Sequence, residues 1–434
     1  MRGGSICRLN ICFSTLSKPI KIAALDIGSR KVACIIASIN GDSIPKVIGF
    51  GHQVSEGVKA GIIIDIKKAE RSILSALSSA EKMAGETIDE AYVNISGSNI
   101  TSNHINIETK ISGHEVTYKD IDLMLNKGNE IFENKEVDII QTIPCGFKID
   151  DSEGIKDPIG MFGQTISTNL HVVTASATAV KNIRNCLAKC HINVRDFIVS
   201  SYASGLASLT DDEKEIGVTC LDIGAGNTSI AIFSEGYPIY FDSIPVGGLH
   251  ITKDIALGLS VSQPFAERLK VIYGSAVSTD SDDLDRIDLA DENEAASISN
   301  KAITKAELTA IIKPRVEEIL EMAKANLEKS GLYGAAGNKV VITGGSSQLQ
   351  GIKEITSYIF NKHVRVAKPQ ELQGIPESAK GAAFSTAVGM LIHAAKNKEV
   401  ADSKTIFNPM DIVNSNKKTS GKSNWVVEWF KKNF

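Results

Sequence analysis

An α/β fold with two related cores is predicted from three short segments that contain glycine. Leu25–Ala33 and Leu221–Ile230 are near copies, each an apolar run that ends in Asp, followed by a turn and a second β-branched run. They lie about two hundred positions apart, which is far longer than the repeat of a solenoid and indicates two related domains. The third segment, Val340–Ile352, carries an apolar run into a Gly-Gly pair.

Both near copies predict β-hairpins rather than strand-to-helix turns. The first would pair Lys21–Ile27 with Val32–Ile39, and the second Ile216–Ile223 with Thr228–Phe233. A P-loop or a dinucleotide fingerprint needs a helix after its glycines. Because a strand follows in each copy, these two motifs are disfavoured. A glycine turn can still direct several backbone N–H groups into one concavity, which suits phosphate oxygens.

An Asp beside each glycine turn implies a cation. Asp26 and Asp222 would repel a phosphate unless a positive ion lay between them. Mg²⁺ fits best, because one or two carboxylates plus substrate phosphates typically hold it. The alternative is an ordinary hairpin whose Asp caps its own backbone; the repetition of the pattern disfavours it.

The third segment predicts a site for a flat group. Val340–Thr343 reads as a strand, and Gly344 with Gly345 would let a purine approach the backbone closely. Ser346 and Ser347 mark the start of a helix. Taken alone, the segment favours a plain strand-to-helix turn.

Together and in this order, the three segments resemble the actin, Hsp70 and sugar-kinase superfamily. The resemblance implies an actin-like (ribonuclease H-like) duplicated core with ATP and Mg²⁺ between its domains, Asp26 and Asp222 holding the metal through water. It implies adenosine contacts at the Gly-Gly pair, and ribose and base contacts from Glu267 and Lys270. By their spacing alone, these two residues would be interpreted as a surface ion pair. The implied cofactor-binding residues are Gly28, Ser29, Arg30, Lys31, Gly224, Ala225, Gly226, Asn227, Gly247, Glu267, Lys270, Gly344, Gly345 and Ser347.

Two stretches rich in small residues resemble the connecting helices of that superfamily. They are Tyr202–Leu209 and Gly381–Leu391. Small side chains allow two helices to cross closely. We therefore expect these helices to meet where the two cores join.

A small α+β insert is predicted within the first core, at residues 88–170. Its strands would be Tyr92–Ile95, Asn103–Thr109, Val137–Ile143 and Cys145–Ile149, with one helix from Thr117 to Phe132 that Thr117 and Asp120 cap. Gly154–Met161 and His171–Thr174 resemble the FtsA family of bacterial cell-division proteins. We expect the chain to rejoin the first core from Val172.

Further elements complete the predicted domain map. Ala69–Met83 and Thr304–Leu327 read as helices, the second with a kink or break at Pro314. Asp280–Glu294 reads as an acidic loop. The predicted domains are residues 21–87 plus 171–215 (core 1A), 88–170 (insert 1C), 216–258 plus 336–395 (core 2A) and 259–335 (subdomain 2B), with a disordered extension or a start codon assigned too early at 1–20.

Composition excludes several classes of protein. The net charge of −4 and the lack of a basic stripe argue against nucleic-acid binding. Seven scattered cysteines favour a reducing compartment. Cys186 and Cys190, four apart on a predicted helix, indicate packing rather than metal binding. No run of eighteen apolar residues is present to span a membrane.

The end of the chain predicts a membrane anchor. Residues 396–422 are polar and read as a flexible linker. Residues 423–434 form an amphipathic pattern that carries both tryptophans of the chain, typical of a helix lying in a membrane interface. The residues predicted to meet lipid are Trp425, Val426, Trp429, Phe430, Lys431, Lys432 and Phe434. A terminal helix that docks back on the core is the alternative.

The resemblance to FtsA implies a function. It implies an ATP-binding protein on the cytoplasmic face of the inner membrane at the division septum, which recruits the tubulin-like FtsZ, forms filaments and meets other division proteins. Ala225 and Asn227 stand where relatives more often have Gly and Thr, so ATPase activity is expected to be weak at most, and no catalytic residue is assigned. A pilus-assembly actin homologue, a small-molecule kinase and a chaperone-type ATPase are the alternatives.

Overall fold

The computed structural model describes residues 20–39, 44–97, 100–133, 136–289 and 302–396.

The first core begins with a three-stranded antiparallel meander. The chain opens with strands β1 (Ile20–Ile27), β2 (Lys31–Ile39), β3 (Lys46–Val54), β4 (Val58–Lys59) and β5 (Ile62–Ile63), helix α1 (Ile66–Ala84) and strand β6 (Glu90–Ile95). β1 and β2 form the predicted hairpin. Ala69, Ile73 and Leu77 of α1 are buried, as the helical spacing predicts.

Strand β6 belongs to the first core sheet. It lies parallel to β1, and residues 91–95 are all buried. The assignment of Tyr92–Ile95 to the insert is therefore wrong. A short run of buried apolar residues fits a central parallel strand, but its pattern does not identify the sheet to which it belongs.

The insert is a four-stranded antiparallel sheet with one helix. It contains β7 (Ile100–Lys110), α2 (Tyr118–Glu130), β8 (Val137–Ile149), β9 (Ser152–Ile155) and β10 (Thr165–Ser176), in the order β7-β10-β8-β9. Thr117 precedes α2 and donates from its backbone N–H and its hydroxyl to Asp120, at 2.8 and 2.6 Å. The two strands predicted between Val137 and Ile149 are one strand, irregular where Pro144, which lacks an N–H, faces Leu170.

The chain returns to the first core after β10. That strand pairs along its length with strands of the insert, so the return comes at Ala177 rather than at Val172. α3 (Ala177–Lys189), β11 (Asn193–Val199), α4 (Ser200–Ser208) and α5 (Asp211–Ile216) follow. α3 buries Cys186, and Cys190 directly after it is also buried. Among the described residues, no three His, Cys, Asp or Glu side chains are grouped to hold a metal.

The second core repeats the topology of the first. Its elements are β12 (Val218–Ile223), β13 (Thr228–Ser234), β14 (Tyr237–Ile244), α6 (Gly248–Leu259), α7 (Gln263–Tyr273), β15 (Arg286–Asp288), β16 (Ala302–Thr304), α8 (Lys305–Lys329), β17 (Lys339–Thr343), α9 (Ile352–Phe360), β18 (His363–Val366) and α10 (Ser385–Lys396). Its sheet order is β14-β13-β12-β17-β18, against β3-β2-β1-β6-β11 in the first core. Each sheet is an antiparallel meander extended by two parallel strands.

Three local predictions in the second core need correction. Gly345–Gln348 form a 3₁₀ turn, and the α-helix begins only at Ile352. Arg286–Asp288, inside the predicted loop, pair with β16. α8 continues through the exposed Pro314 without a break, because buried residues on both sides of it hold the helix to the core.

The helices α4 and α10 cross closely, as their small residues predict. Gly389 lies so near the carbonyl oxygen of Ala203 that a Cβ at position 389 would collide with it. Both helices pack beside the strands that carry the two hairpins. Within the described ranges, no helix is both long enough and apolar enough to cross a membrane.

Candidate functional site

The two hairpin turns face each other between the two cores. A Cβ at Gly226 would collide with the Ser29 hydroxyl and lie 3.1 Å from the amide nitrogen of Ala60. The Gly61 N–H donates to Ser29 Oγ at 3.3 Å. The two hairpin turns and the turn between β4 and β5 thus meet at one point. Only glycine permits that approach at position 226. We call this region the inter-core site. It comprises Asp26, Asp222, the two hairpin turns, the Glu267–Lys270 pair and the turn at Gly344–Ser347.

The two aspartates lie at equivalent positions in their hairpins. Asp26 is buried, and Lys31 Nζ lies 3.1 Å from its Oδ2. Asp222 accepts hydrogen bonds from the hydroxyls of Ser204 and, at 3.1 Å, Thr386. Burial raises the pKa of Asp222; the hydrogen bond from Ser204 lowers it, and the charge of Asp26 raises it further. The two carboxylates are therefore close enough to repel each other.

This arrangement fits a divalent cation held with phosphates. Two neighbouring carboxylates attract such an ion, and it would relieve their repulsion. The part of the chain that the structure describes groups no third His, Cys, Asp or Glu ligand with them. A protein site with so few carboxylates suits Mg²⁺, which keeps several waters and takes further ligands from phosphate.

The second turn is fixed to helix α6. Gly248 N–H donates to the Gly224 carbonyl at 3.0 Å, and Leu249 N–H donates to the Ala225 carbonyl at 2.8 Å. Gly247 N–H points to His250 Nδ1 at 3.2 Å. The first amides of α6 thus hold the turn in place.

Glu267 and Lys270 form a half-buried ion pair beside the turn. Lys270 Nζ lies 2.8 Å from Glu267 Oε2, and it donates to Thr252 Oγ1 at 2.8 Å and to the Gly248 carbonyl at 3.1 Å. Only 14% of the Lys270 side chain and 23% of the Glu267 side chain are exposed, so this is not an ordinary surface pair. Burial lowers the pKa of Lys270, Glu267 raises it, and the charge of Arg30 lowers it further. Arg30 of the first turn thus acts electrostatically on Lys270 of α7.

The Gly-Gly segment lies next to Asp222. Gly344 has a φ of 88°, and a Cβ there would collide with Asp222 Oδ1. Ser346 Oγ donates to the Gly224 carbonyl at 3.0 Å. Ser347 is buried and donates at 2.7 Å to the Gly344 carbonyl, so its hydroxyl holds its own turn. The three segments singled out in the sequence therefore meet at the inter-core site.

Comparison with known families identifies the chain. A family model described as Cell division protein FtsA matches residues 219–389, and one described as the SHS2 domain inserted in FtsA matches residues 97–174. The Cell division protein FtsA of Agrobacterium fabrum is 36% identical over 429 residues, which cover 95% of each chain. The chain belongs to the FtsA family. The FtsA of Rhizobium meliloti is 37% identical over 88% of each chain.

Solved structures show the fold of this FtsA-family chain. The PilM-PilN type IV pilus biogenesis complex matches with a TM-score of 0.62 and 16% identity, covering 87% of this chain and 99% of that one. MreB5 of Spiroplasma citri bound to ADP matches with a TM-score of 0.53 and 14% identity, covering 89% and 99%. The predicted actin-like fold with an inserted domain is confirmed.

Sequence reasoning missed four hydroxyls of this FtsA-family site. Ser204 and Thr386 donate to Asp222, Thr252 contacts Lys270, and Ser346 contacts the second turn. Ser204 and Thr386 lie on the small-residue helices, whose composition predicts only close helix packing. A hydroxyl on a close-crossing helix near a buried Asp is the signal that could have identified them. The predicted membrane residues between Trp425 and Phe434 lie outside the described residues.

Proposed function

We propose that this FtsA-family chain binds ATP with Mg²⁺ at the inter-core site. The observation that carries the proposal is the meeting of two Asp-bearing glycine turns, a half-buried Lys–Glu pair and a Gly-Gly turn at one point. Structures of MreB5 bound to ADP and to AMPPNP share the fold and support a nucleotide here.

Each group has a proposed role in that complex. Asp26 and Asp222 would hold Mg²⁺ through water, and the ion would neutralise phosphate charge. The turns at 28–31 and 224–227, with Gly247, would bind the phosphates. Gly344, Gly345 and Ser347 would line the adenosine, while Glu267 and Lys270 would meet the ribose and base. Hydrolysis would also need a residue that orients a water, so the proposal is limited to binding.

We further propose that the chain attaches FtsZ filaments to the membrane at the division septum and forms filaments itself. Membership of the FtsA family supports this role. So does the sequence of residues 423–434, which in a helical conformation would place its apolar and charged residues on opposite sides. The polar stretch at 396–422 would let that anchor reach lipid. Identity with FtsA relatives favours this role over the pilus, kinase and chaperone alternatives.

Vesicle co-sedimentation tests the adaptor role. The full chain should pellet with anionic vesicles and bring FtsZ filaments with it, whereas a chain that ends before Asn424 should stay in solution with FtsZ. Trp429→Glu should behave like the truncation, because it puts a charge on the apolar side, and Glu428→Gln is the matched control that should still pellet. Neutral vesicles should bind less, since each Lys contributes about 1 kcal/mol at an anionic surface. Equal pelleting of the truncated chain would refute the anchor.

A further inference from the structure

The insert contacts strand β14 of the second core through polar side chains. Ser102 Oγ lies 2.8 Å from the backbone nitrogen of Phe241 and 2.9 Å from its carbonyl oxygen. His171 Nδ1 lies 2.7 Å from the Pro238 carbonyl, and His104 is hydrogen-bonded to the backbone of Ile239. In the described part of the chain, β14 is the outermost strand of its sheet. An outermost strand presents unpaired backbone groups, and side chains of the insert supply partners for them here.

This contact is one hydrogen-bond donor short. A carbonyl only accepts, so His171 Nδ1 donates to Pro238, and the Nε2 of a neutral ring must then accept. Burial lowers the pKa of His171 to about 3, which keeps the ring neutral. Nε2 lies 2.9 Å from Ser102 Oγ. Ser102 has one hydroxyl proton for two acceptors, this Nε2 and the Phe241 carbonyl. A buried network that is only partly satisfied stabilises a contact less than a complete one.

Strand β14 also contacts the second hairpin turn, at residues 224–227. Asn227 Nδ2 donates to Ser243 Oγ at 3.1 Å and to Ser229 Oγ at 3.2 Å. Ser243 is two residues beyond Phe241 on β14. Asn227 closes the turn, since Gly224 N–H donates to the backbone carbonyl of Asn227 at 3.0 Å. Displacement of β14 would therefore act, through the Asn227 side chain, on the residue whose backbone carbonyl closes the turn.

We propose that the contact of Ser102, His104 and His171 with Pro238–Phe241 is a releasable latch that couples the position of the insert to the turn at 224–227. A partner that draws the insert away from β14 would loosen Asn227. Conversely, a ligand that orders the turn would strengthen the latch, because coupling between two sites is reciprocal. Only the ligand half of this inference rests on the proposed function.

Hydrogen–deuterium exchange tests the latch in the nucleotide-free full chain. Ser102→Ala and His171→Phe should raise amide exchange at 239–243 and also at 224–227. His171→Asn, which keeps a donor near the position of Nδ1, should restore much of the protection. Thr168→Val is the matched control, because Thr168 donates at 2.6 Å to the Gly146 carbonyl entirely within the insert. It should cost stability without changing exchange at 224–227.

Calorimetry with ATP and Mg²⁺ measures the coupling. Affinity should fall roughly fivefold in Ser102→Ala and His171→Phe, at the low end of usual coupling strengths, and should not change in Thr168→Val. Exchange that rises at 239–243 but not at 224–227 would overturn the latch, and so would an equal rise in the control. A wild-type chain that binds no nucleotide would refute the proposed function, and the exchange at 224–227 would still decide the latch.

Discussion

At the scale of single residues, Glu213 is a buried carboxylate with two basic partners. Glu213 accepts from Arg365 Nε at 2.7 Å, and Lys339 Nζ lies 2.7 Å from the same oxygen. Burial acts to raise the pKa of Glu213, but hydrogen bonds from Arg365 and Lys339 outweigh it and bring the pKa down to about 2. This cluster joins α5 to the parallel strands β17 and β18 of the second core.

Glu213→Gln should destabilise the protein at neutral pH. A carboxylate whose pKa is lower in the folded than in the unfolded state stabilises the fold above its unfolded pKa of 4.5, and this contribution disappears as the pH falls toward 2. The loss at pH 7 should be about 3 kcal/mol, because each pKa unit is worth about 1.4 kcal/mol. Thermal midpoints of variant and wild type should converge as the pH drops below 4.5. Glu153→Gln, which removes an exposed partner of Lys148, is the control and should leave the midpoint unchanged.

Lys270→Met should weaken ATP binding by about tenfold, the usual effect of losing one charged hydrogen bond. Lys270 holds Glu267, Thr252 and the Gly248 carbonyl together beside the second turn. Calorimetry measures the affinity. Lys313→Met, which removes a lysine paired at 3.8 Å with Glu317 on α8, should bind ATP like wild type. Equal affinity in both variants would remove Lys270 from the site.

At the scale of elements, the crossing of α4 and α10 depends on glycine. Gly389→Ala should lower stability by about 1–3 kcal/mol, because the added methyl group meets the Ala203 backbone and cannot be accommodated by a side-chain shift. The gain in helix propensity of about 1 kcal/mol offsets only part of this. Gly381→Ala, where a Cβ meets no atom within 4 Å, is the control. Denaturant unfolding that ranks the two variants equally would contradict the close crossing.

Elements with a strong local pattern could be predicted from the sequence. Both hairpins, α1 and the capped start of α8 follow from apolar periodicity and capping residues. Strand β6 could not be assigned to its sheet, because the partners of a strand are set by contacts distant in sequence. Pro314 predicted a break that packing on both sides of it prevents. The hydroxyls of Ser204 and Thr386 were missed because their role depends on where two helices cross.

At the scale of the whole molecule, duplication explains the site. Two cores of equal topology place two equivalent aspartates at the ends of β1 and β12, so one cation could serve both. The structure corrects both predicted edges of the insert, since β6 belongs to the first core sheet and all of β10 to the insert sheet, and the family match to an inserted domain covers residues 97–174. The other domain boundaries predicted from the sequence stay predictions. In the proposed function, the anchor would connect this core to the membrane.

Calorimetric titration of ATP with Mg²⁺ tests the central claim most directly. Wild type should bind, and chelation of the metal should weaken binding strongly. Asp222→Asn and Asp26→Asn should each abolish the metal-dependent part, because each removes one of the two charges available to the ion. Asp282→Asn, which neutralises a buried carboxylate paired at 3.2 Å with Lys305, should bind like wild type. Unchanged Mg·ATP affinity in Asp222→Asn would contradict the account.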